Sequence, residues 1–288
     1  MTRRLREKLA ATLPVGELKK VYDSFDLIGD IVIFKTPKDN TANIQTVANQ
    51  IMAIHKGVKT VFLQTSPVAG DFRVRALKLV AGEDKTSTSY KEAHCVFAVD
   101  VEKCYFSPRL SRERLRVASL VKNGETVVNM FAGVGCFSVI IAKTDPQTKV
   151  FSIDINPTAY HFMEENVRVN RVYGKVMPLL GDSKDIIQAR LRGVADRVLM
   201  PLPELALEYL PYAVMALKKD GGWIHYYDFE HAAGKEDPQV KTRQKVAQKL
   251  DALGIAYDLS FSRIVRSTGP NWYQTVLDIR VAGSPSKF

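Results

Sequence analysis

The sequence predicts an α/β protein, a parallel sheet covered by helices on both faces and ending in an antiparallel hairpin, preceded by a small α+β domain. Three observations carry this expectation. From about residue 106, strand-like and helix-like runs alternate, and that spacing implies parallel strands joined by crossover helices. The last two strand-like runs, AYDLSFSRIVRS and YQTVLDIRVA, are separated only by TGPNW. No crossover helix fits there, so they pair antiparallel. Before residue 106 the texture is mixed, which places the domains at 1–105 and 106–288.

Taken in order, segment 1–25 reads as helix. DLIGDIVIFKT reads as a strand, NIQTVANQIMAIHKGVKTVFLQT as helix then strand, and DFRVRALKLVAG and HCVFAVDVEKCYF as further strands, with PKDN and GEDKTSTS as turns or loops. In the second domain the pairs are TVVNMF and a helix from Val134, KVFSIDI and a helix from Pro157 to Asn170, and KVMPLLGD and DIIQARL. DRVLMPLP and a helix from Leu205 to Leu217 follow, then GGWIHYYDF and a helix from about Val240 to Leu253.

Composition narrows the function. Lys and Arg number 41 against 31 Asp and Glu, a net charge of +10. Such an excess favours a polyanionic partner. No apolar run is long enough for a membrane span. The start, MTRRLREKLAATL, is basic and amphipathic but lacks the apolar core of a secretory signal. A cytoplasmic protein is expected. Cys95, Cys104 and Cys136 make no zinc pattern, and their odd number argues against a disulfide framework. They read as small buried hydrophobes. His94 and His161 are isolated, and no metal is expected.

The chemistry concentrates at strand ends. FAGVGCFS lies between an apolar strand and a helix, where Gly133 and Gly135 give a tight turn and let backbone approach a ligand. Asp154 ends the next strand, placed for ribose hydroxyls. Asp182 follows the third strand, where a carboxylate can accept from an adenine amino group. The loop lacks both the third glycine of the dinucleotide fingerprint and the G-K-[ST] of a P-loop, so the ligand expected is a nucleoside without phosphates.

These residues resemble the class I S-adenosylmethionine-dependent methyltransferases, whose sheet also ends in an antiparallel hairpin. The resemblance implies a Rossmann-like domain and S-adenosyl-L-methionine as cofactor, held by Phe131, Gly133, Gly135, Asp154, Ile155, Asp182, Ser183 and Pro201. Asn129 departs from it, since the family often has an acid ahead of the glycines.

Within that superfamily GDFRVRALKLVAGE, DVEKCYFSPRLSRER, FAGVGCFS, MPLP and GGWIHYY resemble the archaeal and eukaryotic tRNA (guanine-N1)-methyltransferases that modify position 37. The likeness covers roughly residues 20–280. It implies Glu113 as the general base for guanine N1, Arg73 as the stabiliser of charge on guanine O6, and Tyr105 as an active-site aromatic. Arg109 belongs to the same motif and is assigned to RNA or to the cofactor carboxylate. The implied partner is tRNA with guanosine 37, bound by a monomer, with the small domain clamping the RNA. The family often carries an extra N-terminal domain, for which this chain is too short.

The reaction needs these residue types. Neutral guanine N1 bears a proton and is a poor nucleophile, so a base must take it as the methyl is attacked. Glu113 is expected to be desolvated when RNA binds. The plainer alternative is a helix with Ser107 as N-cap and Pro108 at N1, its core face made by Leu110, Leu115, Ala118 and Val121, and Glu113 paired with an arginine in solvent.

Three further stretches bear on substrate. In MPLPE, Pro201 stands where the family usually has Asn. Trp223, His225, Tyr226 and Tyr227 read as core, and RIVRSTGPNWYQ offers Arg263, Arg266 and Trp272 on a loop for phosphate. The alternatives are aminocarboxypropyl transfer in the wybutosine pathway, dual-specificity methylation of N1 and a tricyclic guanosine, or a noncatalytic RNA-binding protein.

Overall fold

The computed structural model describes residues 7, 9–10, 25–36 and 43–283. The helix expected over 1–25 lies largely outside them, though Leu9 is helical and buried. The chain divides into two compact units, Met1–Arg109 and Leu110–Phe288.

The first unit holds a four-stranded sheet, β1 (Phe25–Ile28), β2 (Ile31–Phe34), β3 (Thr60–Gln64) and β4 (Leu77–Gly82), in that spatial order. Helix α1 (Ile44–Ile54) makes the crossover between parallel β2 and β3 and buries Val47, Ala48 and Ile51 against Val32, Phe34 and Val61. DLIGDIVIFKT is therefore a hairpin, not one strand. Ile28 pairs with Ile31, leaving Gly29 and Asp30 as the turn. Gly29 has φ +57°, and a Cβ there would meet the Ser89 carbonyl oxygen at 2.5 Å, so only glycine turns the chain at this point.

Two more expectations change in this unit. Only the end of DFRVRALKLVAG is strand, because the chain turns first and Arg73 adopts φ 54°. The stretch read as the loop GEDKTSTS runs into β5 (Ser87–Glu92), which pairs antiparallel with β6 (Cys95–Asp100) in a separate two-stranded sheet. Its alternation is carried by Ser, Thr and Tyr rather than by aliphatic residues, so the strand looks like a polar loop in sequence.

The second unit is a seven-stranded sheet in the order β12-β13-β11-β10-β7-β8-β9. Its strands are β7 (Thr126–Asn129), β8 (Lys149–Asp154), β9 (Val176–Leu180), β10 (Arg197–Met200), β11 (Gly221–His231), β12 (Tyr257–Gly269) and β13 (Trp272–Ala282). The helices are α2 (Ser111–Leu120), α3 (Cys136–Thr144), α4 (Pro157–Val169), α5 (Ser183–Arg190), α6 (Pro203–Ala216) and α7 (Pro238–Ala252). β7 through β11 run parallel, and β13 lies antiparallel between β11 and β12. The predicted α/β architecture and terminal hairpin are both present. β7 and β10 are adjacent, and the chain winds outward from them in opposite directions. Ligands bind at such a switch point, beyond the carboxyl ends of the strands.

The start of α2 is also corrected. A 3₁₀ turn, Pro108–Leu110, comes first, and the N-cap is Leu110 with no side-chain cap bond, so Ser107 and Pro108 do not open the helix. The buried face is Leu110, Glu113, Arg114, Val117 and Ala118, while Leu115 is 49% exposed. The Glu113 carboxylate occupies a core position because Arg116, Tyr227 and Arg263 satisfy it.

Candidate nucleoside and base site

The glycine loop leaves β7 and enters α3 with Gly133 at φ 56° and Gly135 at φ 88°. Asp154, at the end of β8, holds it: Oδ2 accepts from the Gly133 amide at 2.6 Å and Oδ1 from the Asn156 amide at 2.9 Å. Burial pushes the Asp154 carboxyl up, and these two amides pull it back. Asn156 caps α4 through the Thr158 and Ala159 amides. Ile155, next to Asp154, is 46% exposed, unusual for a large aliphatic at a strand end.

Asp182 is the N-cap of α5, accepting from the Lys184 amide at 2.9 Å. The Tyr209 hydroxyl, from α6, donates to both its oxygens at 3.1 and 2.9 Å. Burial first, and then Asp182, raise the Tyr209 hydroxyl, so it stays a donor. Phe131 meets the Tyr209 ring edge-on at 5.3 Å. Tyr209 escaped the sequence reading because it lies 27 residues from Asp182 in a helix of apolar character.

Three buried polar atoms nearby have no partner. They are Ser183 Oγ, Ser152 Oγ on β8, and Asn129 Oδ1, whose Nδ2 donates to Ser138 Oγ at 3.1 Å. Buried polar atoms normally find partners, and orphans at these strand ends fit a ligand with hydroxyls and amines. Pro201 and Leu202 follow β10, and Pro203 starts α6, so no side-chain amide stands at this strand end.

Glu113 occupies the other focus. It is 1% exposed, so its own chain desolvates it, and the expectation that RNA binding does so is corrected. Arg116 Nη2 donates to Oε1 at 2.7 Å and Arg116 Nε to both oxygens at 3.1 Å. The Tyr227 hydroxyl donates to Oε1 at 2.8 Å, and Arg263 Nη2 bonds to Oε2. Burial, then the Glu113 charge, lift the Tyr227 hydroxyl well above its usual range.

Behind this cluster runs a buried chain of charge. Arg116 also grips Asp278 with Nη1 at 2.6 Å and Nη2 at 3.0 Å. Asp278 meets His225 Nδ1 at 2.6 Å, and His225 Nε2 meets Arg197 at 2.7 Å. Arg197 closes the chain on Glu125 at 2.7 Å. Burial works to raise the Asp278 carboxyl, but His225 and Arg116 outweigh it and hold it at about 2. Burial first, and then the arginines, lower His225. His225 and Tyr227 are core residues as expected, and they also carry polar contacts to Asp278 and Glu113.

The arginines around Glu113 have separate fates. Arg112 is exposed, Arg114 buried, and Arg116 committed to Glu113 and Asp278. Arg73, Tyr105 and Arg109 belong to the first unit. There Arg109 Nε pairs with Asp26 at 2.7 Å, and Arg75 approaches the same carboxylate at 3.7 Å. Arg263 and Arg266 stand on β12 and Trp272 on β13, so the expected loop is a tight hairpin tip. Among the described residues no His, Cys, Asp and Glu cluster could hold a metal ion, and the three cysteines are free and buried.

Glycine turn, strand-end acids and sheet order together define a Rossmann-like fold with a candidate nucleoside site at its strand ends, in the unit that also buries the Glu113 carboxylate. The TRM5/TYW2 methyltransferase domain matches residues 88–254 and the TYW2 N-terminal domain residues 5–86, and the chain belongs to that family. It is 38% identical over 260 residues to the tRNA (guanine(37)-N(1))-methyltransferase Trm5b of Pyrococcus abyssi, covering 90% of this chain and 75% of that one. The crystal structure of that enzyme matches with a TM-score of 0.83 at 37% identity, over 94% of this chain and 78% of the other. The tRNA 4-demethylwyosine(37)-methyltransferase Taw21 of Saccharolobus solfataricus is 37% identical over 90% of this chain and 94% of its own. The structure of Methanocaldococcus jannaschii TYW2 in complex with AdoMet matches with a TM-score of 0.67 at 26% identity, over 91% of this chain and all of the other.

Proposed function

We infer that the chain is an S-adenosylmethionine-dependent tRNA methyltransferase acting on N1 of guanosine 37, and that it works as a cytoplasmic monomer. The observation that carries the reading is Glu113, a carboxylate fully buried in the same unit as a nucleoside site. A structural ion pair is ordinarily left at the surface, since burying one gains little.

The cofactor supplies an electrophilic methyl on a sulfonium. Asp154 is suited to ribose hydroxyls, each of its oxygens keeping acceptor capacity beyond its amide bond. Ile155 offers an exposed apolar face for a purine, and Asp182, fixed by Tyr209, an acceptor for its amino group. Gly133 and Gly135 keep side chains out of the way, and Ser183 and Asn129 have acceptor or donor capacity to give. With the cofactor bound, its methyl would be the group that N1 attacks, and Glu113 would take the N1 proton as it does so. Arg73 is assigned to the charge on O6, Tyr105 to the base, and Arg109 to RNA or cofactor. An unpaired loop base reaches such a site cheaply, having little stacking to lose.

Pro201 supports a second reading, methyl transfer to a tricyclic guanosine derivative at the same position. Proline offers no side-chain donor for the Watson–Crick edge, and identity to the 4-demethylwyosine methyltransferase nearly equals that to the guanine-N1 enzyme. A product assay decides: tRNA transcript with guanosine 37, methyl-labelled cofactor, then digestion and mass analysis. One-methylguanosine at position 37 is expected. Absence of label in RNA, with cofactor bound, rejects the N1 reading and directs the assay to the tricyclic substrate and the aminocarboxypropyl label.

A further inference from the structure

We propose that Arg263 is a releasable counter-ion for Glu113, held on the carboxylate in the free protein and transferred to an RNA phosphate as substrate docks. This rests on the RNA methyltransferase reading above.

The three donors around Glu113 are not equivalent. Arg116 cannot leave. It is tied to Asp278 at 2.6 and 3.0 Å, and its guanidinium lies 4.9 Å from the centre of the Phe261 ring. Tyr227 is a core residue, 1% exposed. Arg263 differs on each count. Its side chain is 37% exposed. It stands on β12, the edge strand of the sheet, between register shifts at Leu259/Phe261 and Ile264/Arg266. Bulges at a sheet edge re-aim side chains, and here they accompany a guanidinium turned toward a buried carboxylate. Its Nε is buried without a partner. Arg263 is thus the link to Glu113 that can be broken from solvent.

Breaking it has a chemical purpose. While Arg263 donates to Oε2, it competes with the incoming N1 proton for that oxygen. Glu113 keeps Arg116 and Tyr227 when Arg263 leaves, so its buried charge is not stranded. The base would then be masked until RNA is in place, with Arg116 and Tyr227 still fixing its orientation.

The test compares wild type with Arg263→Gln in two measurements on the full chain. The first is the salt dependence of tRNA transcript binding. If Arg263 moves to a phosphate, the variant loses one contact, and the slope of log K against log salt becomes shallower by about 0.7–0.9. The second is carbodiimide labelling of the free protein, with Glu113 read by peptide mass. Glu113 is expected to resist in wild type and to label several-fold more in the variant, with thermal melting confirming the fold. An unchanged salt slope overturns the transfer, and an unlabelled Glu113 in the variant overturns the masking. Absence of salt-sensitive tRNA binding in wild type itself overturns the RNA reading and this proposal with it, a result distinct from either.

Discussion

Replacing Asp278 with asparagine keeps the shape of the side chain and removes the charge that anchors Arg116. Asp278 is 4% exposed, so its interactions are little screened. Its carboxyl is held at about 2 against a reference of 3.8. That depression corresponds to about 2 kcal/mol of folding free energy. The sign follows from the direction: a carboxyl lowered on folding adds stability above its unfolded value, 3.8, and loses it as pH falls toward about 2. Asparagine resembles the protonated acid and has no such dependence. Urea denaturation of both proteins across a pH series is the assay. The variant should be less stable by about 2 kcal/mol near neutrality, and the gap should narrow by over about 1 kcal/mol between roughly pH 6 and pH 2.5. A gap that stays constant through that window refutes the claim that Asp278 is a charged anchor.

Other outcomes follow from the site. Glu113→Gln should lower turnover by about 10²–10⁴-fold while leaving calorimetric affinity for the cofactor intact; near wild-type turnover removes Glu113 as the base. Gly135→Ala should lower stability by about 1–2 kcal/mol from the left-handed backbone alone, and its Cβ would also meet Met163 Cγ at 2.9 Å; thermal melting with and without cofactor reads this. Tyr209→Phe removes the donor to both Asp182 oxygens and should cost about 1 kcal/mol of cofactor affinity, measurable by calorimetry with S-adenosylhomocysteine. An unchanged affinity would mean that Asp182 needs no support.

The residues assigned to the nucleoside were legible because they are local. A strand, two glycines, a helix and an acid closing the next strand recur at fixed spacing, and Gly133, Gly135, Asp154 and Asp182 fall where that pattern puts them. Asn156 and Asp182 acting as helix caps belongs to the same short range. The errors in the first unit were local too. Gly29 and Asp30 split an apolar run into a hairpin, a turn signal overridden by hydrophobicity, and β5 hid because its alternation is polar.

The sequence by itself determined the alternating α/β architecture, the terminal antiparallel pair and the placement of Gly133, Gly135, Asp154 and Asp182 at strand ends, since each follows from periodicity and chain order within one or two elements. Only the tertiary structure decided the setting of Glu113. Its partners Tyr227 and Arg263 lie 114 and 150 residues away, and Asp278 reaches Arg116 across 162. His225 faces Asp278 because β13 inserts between β11 and β12 in one register. A one-residue slip in that pairing would send Asp278 to the other face of the sheet and leave Arg116 buried without its second carboxylate. Such registers depend on how the whole hydrophobic face packs, and no short stretch of chain encodes them.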